Sequence, residues 1–101
     1  MRVEYSSRAV ADIRGIADHY AAAESAAAGE RVAARIRDVV ARIARLPESG
    51  RPVTERPGVR VAALTRYRYN VFYAVVGDCV RILHIRHTAR QPWTGNGTPR
   101  R

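Results

Sequence analysis

The sequence predicts a small α+β domain with the element order β-α-α-β-β-β, an antiparallel helical hairpin packed on a small, mostly antiparallel sheet. Three observations carry this expectation. Apolar residues recur at helical spacing through two consecutive segments of the first half. The second half switches to strand alternation and to β-branched and aromatic residues. Glycine, proline and serine punctuate the joins. With 101 residues, 47% of them apolar, the chain has material for one domain and one modest core.

The opening "MRVEYS" alternates, with Val3 and Tyr5 on one face and Arg2 and Glu4 on the other, as a short strand does. Ser6 and Ser7 follow as N-cap candidates. Ala9, Val10, Ile13, Ile16, Ala17 and Tyr20 then mark a helix over about residues 8 to 23. Asp12 lies near its start, where a carboxylate complements the helix dipole. A turn is expected at Glu24–Ser25, with Ser25 capping a second helix and Gly29 in its first turns at some cost. One uninterrupted helix would need about 38 residues without a cap. Val32, Ile36, Val39, Ile43 and Leu46 form the apolar stripe of the second helix, and Arg31, Arg35, Arg42 and Arg45 flank it as solvated residues. Pro47 ends the helix, and Gly50 and Pro52 make a turn.

A polar loop, "VTERPGVR", leads to a strand from Val59 to Leu64. The segment "YRYNVFYAVV" is the clearest strand, with Tyr69, Val71, Tyr73 and Val75 on one face. Gly77–Asp78 places glycine first in a two-residue hairpin loop, as a type II′ turn requires. "CVRILHIRH" returns as the last strand. Ile82 and Leu83 are apolar on both faces, so this strand is expected in the middle of the sheet. The domain is expected to span 1–92, and the glycine- and proline-containing tail, 93–101, to be flexible.

The net charge is +9, and all 18 basic residues are arginine. Arginine offers a permanently charged, planar fork of donors that suits phosphate and carboxylate. So basic a domain points to an anionic partner, either nucleic acid or an acidic protein segment; the plain alternative is a solvated basic surface. Cys79 is the one cysteine, which excludes an intrachain disulfide and suits a small core residue in a reducing compartment. No apolar leader opens the chain, and no apolar run approaches the roughly 18 residues of a membrane span, so a cytoplasmic protein is expected.

The stretch "HIRHTAR" holds the residues closest to chemistry. His84 and His87 are three apart, which on a strand points them to opposite faces. No cysteine or carboxylate cluster lies near them in sequence, so no metal site is expected. Without a glycine-rich phosphate loop, nucleotide hydrolysis has no support either, and no cofactor is implied. RNA cleavage needs proton transfer and cations on the phosphate. Candidates for it are His87 for the proton and Arg66, Arg68, Arg81, Arg86 and Arg90 for the phosphate. The same rim serves plain binding, through Arg60, Arg66, Tyr67, Arg68, Arg86, His87 and Arg90. Tyr67 and Tyr69 can stack on bases, although strand tyrosines more often pack.

Four segments in order, "VEYSSRAVADIRGIADHY", "IARLPESGRP", "GVRV" and "YRYNVFYAVVGDCVRILHIRHTAR", resemble the RelE/ParE superfamily of bacterial toxin–antitoxin modules. The resemblance runs from Val3 to Arg90 and is closer to the ParE branch. It implies a toxin that acts on DNA gyrase by binding, held silent by an antitoxin whose acidic, partly disordered segment folds onto it. The RelE-like branch instead implies a ribosome-dependent mRNA endoribonuclease. Its catalytic arginine stands three residues before a tyrosine, a place taken here by Asn70 in "NVFY". An amide cannot stabilise a phosphorane as a cation does; Arg68, on the same strand face, is the nearest substitute by alternation. Three readings stay open: the gyrase-binding toxin, which is favoured; the ribonuclease; and a small basic nucleic-acid-binding domain without toxicity.

Overall fold

Two serines define the helices. The computed structural model describes residues 1–89. Strand β1 (Arg2–Tyr5) runs into Ser6, whose Oγ accepts the N–H of Ala9 and caps α1 (Ser7–Ala23). Ser25, in extended backbone, accepts the N–H of Ala28 and caps α2 (Ala26–Arg45). The break at Glu24–Ser25 thus falls where the cap residue put it. The helices then fold back so closely that a Cβ on Gly29 would lie 2.7 Å from the Ala17 carbonyl. Gly29 is a contact requirement of the hairpin, which its position in the sequence did not reveal.

The second half forms β2 (Arg51–Pro52), β3 (Val59–Ala63), β4 (Tyr69–Val76) and β5 (Cys79–His87). The five strands order as β1-β5-β4-β3-β2; only the β1–β5 pair is parallel. The α+β arrangement agrees with expectation, and the last strand is interior, flanked by β1 and β4, although β4 is the middle strand. The strand count departs from expectation. Arg51–Pro52, expected as part of a turn, pairs with Val61 and Arg60, and its proline is tolerated because β2 lies at the sheet's edge. Tyr67 and Arg68, read as strand, belong instead to the loop before β4. Gly77 has φ +61 while Asp78 does not share the left-handed region, as the type II′ assignment requires.

The core lies between the helices and one sheet face. Val32, Ile36, Val40 and Ile43 of α2 meet Val71, Tyr73, Val80, Ile82 and Ile85. Val40 is the buried member of the stripe and Val39 only partly so. Leu46 leaves the stripe and stands 53% exposed, because it is the non-helical C-cap and helical spacing no longer directs it. Val10 is also exposed, and Arg35, expected in solvent, is half-buried and donates to the Thr65 hydroxyl. A smaller cluster of Val59, Val61 and Phe72, with Val53 and Leu83 against it, occupies the other sheet face. Among the described residues no helix is long and apolar enough to cross a membrane.

Candidate functional site

Strand β5 outruns its neighbour. β1 pairs with it only from Cys79 to Ile82, so the outer edge from Leu83 onward needs other partners. The start of α1 supplies them. The N–H of Ser6 donates to the Ile82 carbonyl at 2.9 Å, and its hydroxyl donates to the Leu83 carbonyl at 2.8 Å. Asp12 Oδ2 then accepts the Ile85 N–H at 2.9 Å and stands 2.6 Å from His84 Nδ1. An ionised carboxylate only accepts, so Nδ1 carries the proton of that contact.

From its sequence position alone, Asp12 is expected to complement the helix dipole. Its carboxylate serves instead as the latch between α1 and β5. The available signal was its spacing: Asp12 falls three residues after the buried Ala9 and four before the buried Ile16. A bulge shapes the other side of the latch. Phe72 pairs with His84 but Tyr73 with Ile82, which leaves Leu83 without an opposite number. His84 is buried and stacks on Phe72, whereas His87 packs edge-on to Tyr69 at 5.2 Å. They face different neighbours, as strand alternation requires, yet both border one groove.

That groove, about 470 Å³, runs between α1 and the end of β5. Arg8, Ala11, Asp12, Gly15 and His19 form the helical wall, one face of α1 at steps of three and four. His84 to His87 form the other wall, with Tyr69 at the end. Arg86 and His87, both candidates from sequence, therefore meet here. Arg86 also stands directly across from Asn70 in the β4–β5 ladder. Arg68 lies outside β4, so alternation along that strand does not extend to it.

The remaining candidates are dispersed. Arg60 donates to the carbonyls of Glu48 and Gly50, at 3.2 and 2.7 Å, and so braces the turn after α2. Arg81 is on the β1 side of the sheet, bonded to Glu4 at 3.3 Å; that hydrogen bond holds the Glu4 carboxyl below its ordinary value. Tyr67 is half-buried with its ring edge-on to Tyr20 at 5.5 Å, a packing role. Arg66 and Arg68 are exposed on the β3–β4 loop, and Arg66 holds a left-handed φ of 75°. Arg90, and the tail expected from residue 93, lie outside the described residues. Among the described residues no three metal-ligating side chains converge.

A model of the ParE toxin of type II toxin–antitoxin systems matches residues 3–92. The chain belongs to the ParE toxin family. This ParE-family chain is also similar in structure to the chromosomal ParDE toxin–antitoxin system of P. aeruginosa, with 27% identity, a TM-score of 0.77, and 86% of this chain and 95% of that one covered. It shares the fold of the isolated E. coli RelE toxin at 15% identity and a TM-score of 0.66, over 89% of this chain and 86% of that one. A YoeB/ParE toxin from Agrobacterium tumefaciens gives 17% identity and 0.63, over 86% and 98%. No match is found among curated proteins. The α1–α2 hairpin on a sheet with β5 held between β1 and β4 is thus the RelE/ParE arrangement, and the ParE branch is the one the family model specifies.

Proposed function

We propose that this ParE-family chain is the toxin of a toxin–antitoxin pair, that it acts in the cytoplasm on DNA gyrase by binding, and that an acidic antitoxin silences it. The observation that carries the binding reading is the state of the candidate catalytic groups. His84 Nδ1 is committed to Asp12, and His87 Nδ1 accepts the N–H of Ala89 at 3.0 Å. Asn70 occupies the place where the RelE resemblance implies a catalytic cation. Arg60 and Arg81 are engaged in bracing the fold. What remains is a cationic docking surface, suited to attraction and orientation of an acidic partner.

The test is DNA cleavage by purified gyrase on supercoiled plasmid with ATP, with and without this protein. Accumulation of linear, gyrase-linked DNA is the expected outcome. Its absence with folded protein in excess refutes gyrase as the target. A second reading draws on Arg86, which stands across from Asn70 and beside His87 and so restores a cation next to a proton-transfer group. A ribosome-dependent ribonuclease would then cut mRNA in the ribosomal assay, and Arg86→Ala and His87→Ala would each lower the cleavage rate. A chain without effect on growth when expressed alone would leave only the third reading, a basic nucleic-acid-binding domain.

A further inference from the structure

Gly15 has no explanation among the described residues. It sits in the middle of α1, where glycine is unfavourable, and its backbone is not in the left-handed region. A Cβ built on it meets none of the described residues within 4 Å. Gly29, by contrast, is required by the approach of α1 and α2. Gly15 and Ala11, one turn apart, leave the helical wall of the groove shallow over that stretch. Glycine in such a place marks the close approach of something from outside.

The surrounding charge says what. Arg8 and His19 stand on the helical wall and Arg86 and His87 on the strand wall. Asp12 is the one carboxylate among the described lining residues, and its Oδ2 faces His84 and the Ile85 N–H. Because His87 Nδ1 accepts from Ala89, the neutral ring carries its proton on Nε2 and can donate it to an anion. A nucleobase would need an open aromatic face. Tyr69 is half-buried with its ring engaged by His87, and His84 is stacked on Phe72. A main chain with acidic side chains needs only a shallow wall and cations at its sides.

We infer that the groove between α1 and β5 docks an acidic protein segment whose main chain runs over Ala11 and Gly15 and whose carboxylates meet Arg8 and His87. The inference rests on the reading of the chain as a toxin held by an acidic partner, and names the surface that partner uses. The probes are hexaglutamate and single-stranded oligoadenylate, titrated into the isotope-labelled chain and followed by backbone amide shifts. Hexaglutamate is expected to move Arg8, Ala11, Gly15 and His87 at lower concentration than Arg42 and Arg45 of α2. Gly15→Leu, with thermal stability checked, is expected to weaken that set about tenfold, a change of about 1.4 kcal/mol. Arg8→Glu, an exposed change at the start of α1, provides the same test should Gly15→Leu not fold. Shifts spread evenly over the arginine surface, unchanged affinity in the variants, or filling of the groove by oligoadenylate alone each overturn the inference. Growth arrest and gyrase cleavage use neither probe. A toxin that arrests growth while its groove ignores hexaglutamate refutes the groove alone; a harmless chain that binds hexaglutamate there refutes the toxin reading alone.

Discussion

Tyr73 shows how one side chain joins the helical and sheet halves. It is fully buried, and its hydroxyl donates to the Pro47 carbonyl at 2.8 Å and accepts the Gly50 N–H at 2.9 Å. Tyr73→Phe keeps the ring and leaves both groups unpaired, so a loss of about 1–3 kcal/mol is expected in urea unfolding. A second residue-scale prediction concerns Glu4. The Arg81 hydrogen bond favours its charged form, so the folded carboxyl titrates below the unfolded one. The resulting stabilisation is present above the unfolded pKa and is lost as pH falls through the lowered folded value. Carboxyl-carbon NMR should place the Glu4 midpoint below the ordinary glutamate range, and Arg81→Ala should return it upward. Glu4 is exposed, so the midpoint, not the melting temperature, is the sensitive readout.

Among the elements, α1 depends on two contacts of opposite kind. Its packing on α2 needs Gly29, so Gly29→Ala drives a methyl into the Ala17 carbonyl and should cost on the order of 1–3 kcal/mol. The same substitution at Gly15 meets open space and should stabilise the helix by about 1 kcal/mol. Paired thermal melts give the two signs directly. The contact of α1 with β5 depends on Asp12, which joins the helix to His84 and Ile85. Asp12→Ala removes the acceptor from a buried imidazole and a backbone donor. A loss of about 1–3 kcal/mol is expected from the unpaired donors, and hydrogen exchange of the Ile85 amide should accelerate. Retained protection at Ile85 would mean that β5 does not need the latch.

At the scale of the whole molecule, the charge of +9 dominates encounter with any acidic partner. Exposed charges are screened over about 10 Å at 0.1 M salt. The association rate with an acidic peptide should therefore fall steeply between low and physiological salt in stopped-flow measurements, while dissociation changes less. A rate indifferent to salt would assign recognition to the apolar surface. Exposed apolar side chains are available for it, Met1, Leu46, Val75 and Val76 among them, with Val76 at 56%.

Local signals determined much of this protein. Ser25 fixed the break between the helices, Gly77 the last hairpin, and the apolar run at Ile82–Leu83 an interior strand, because cap, turn and burial preferences act within a few residues. The ordered segments also carried the family, which the match over residues 3–92 bears out. Tertiary structure decided the rest. Arg51–Pro52 became a strand only because β3 offered an edge. The Asp12–His84 latch joins residues 72 apart in sequence, and the bulge at Leu83 follows from pairing with β4. Both Gly15 and Gly29 are helical glycines by sequence; one is pressed against a neighbouring helix and the other opens onto a groove. Spacing along one chain cannot distinguish them, because the difference lies in what the opposite wall brings near.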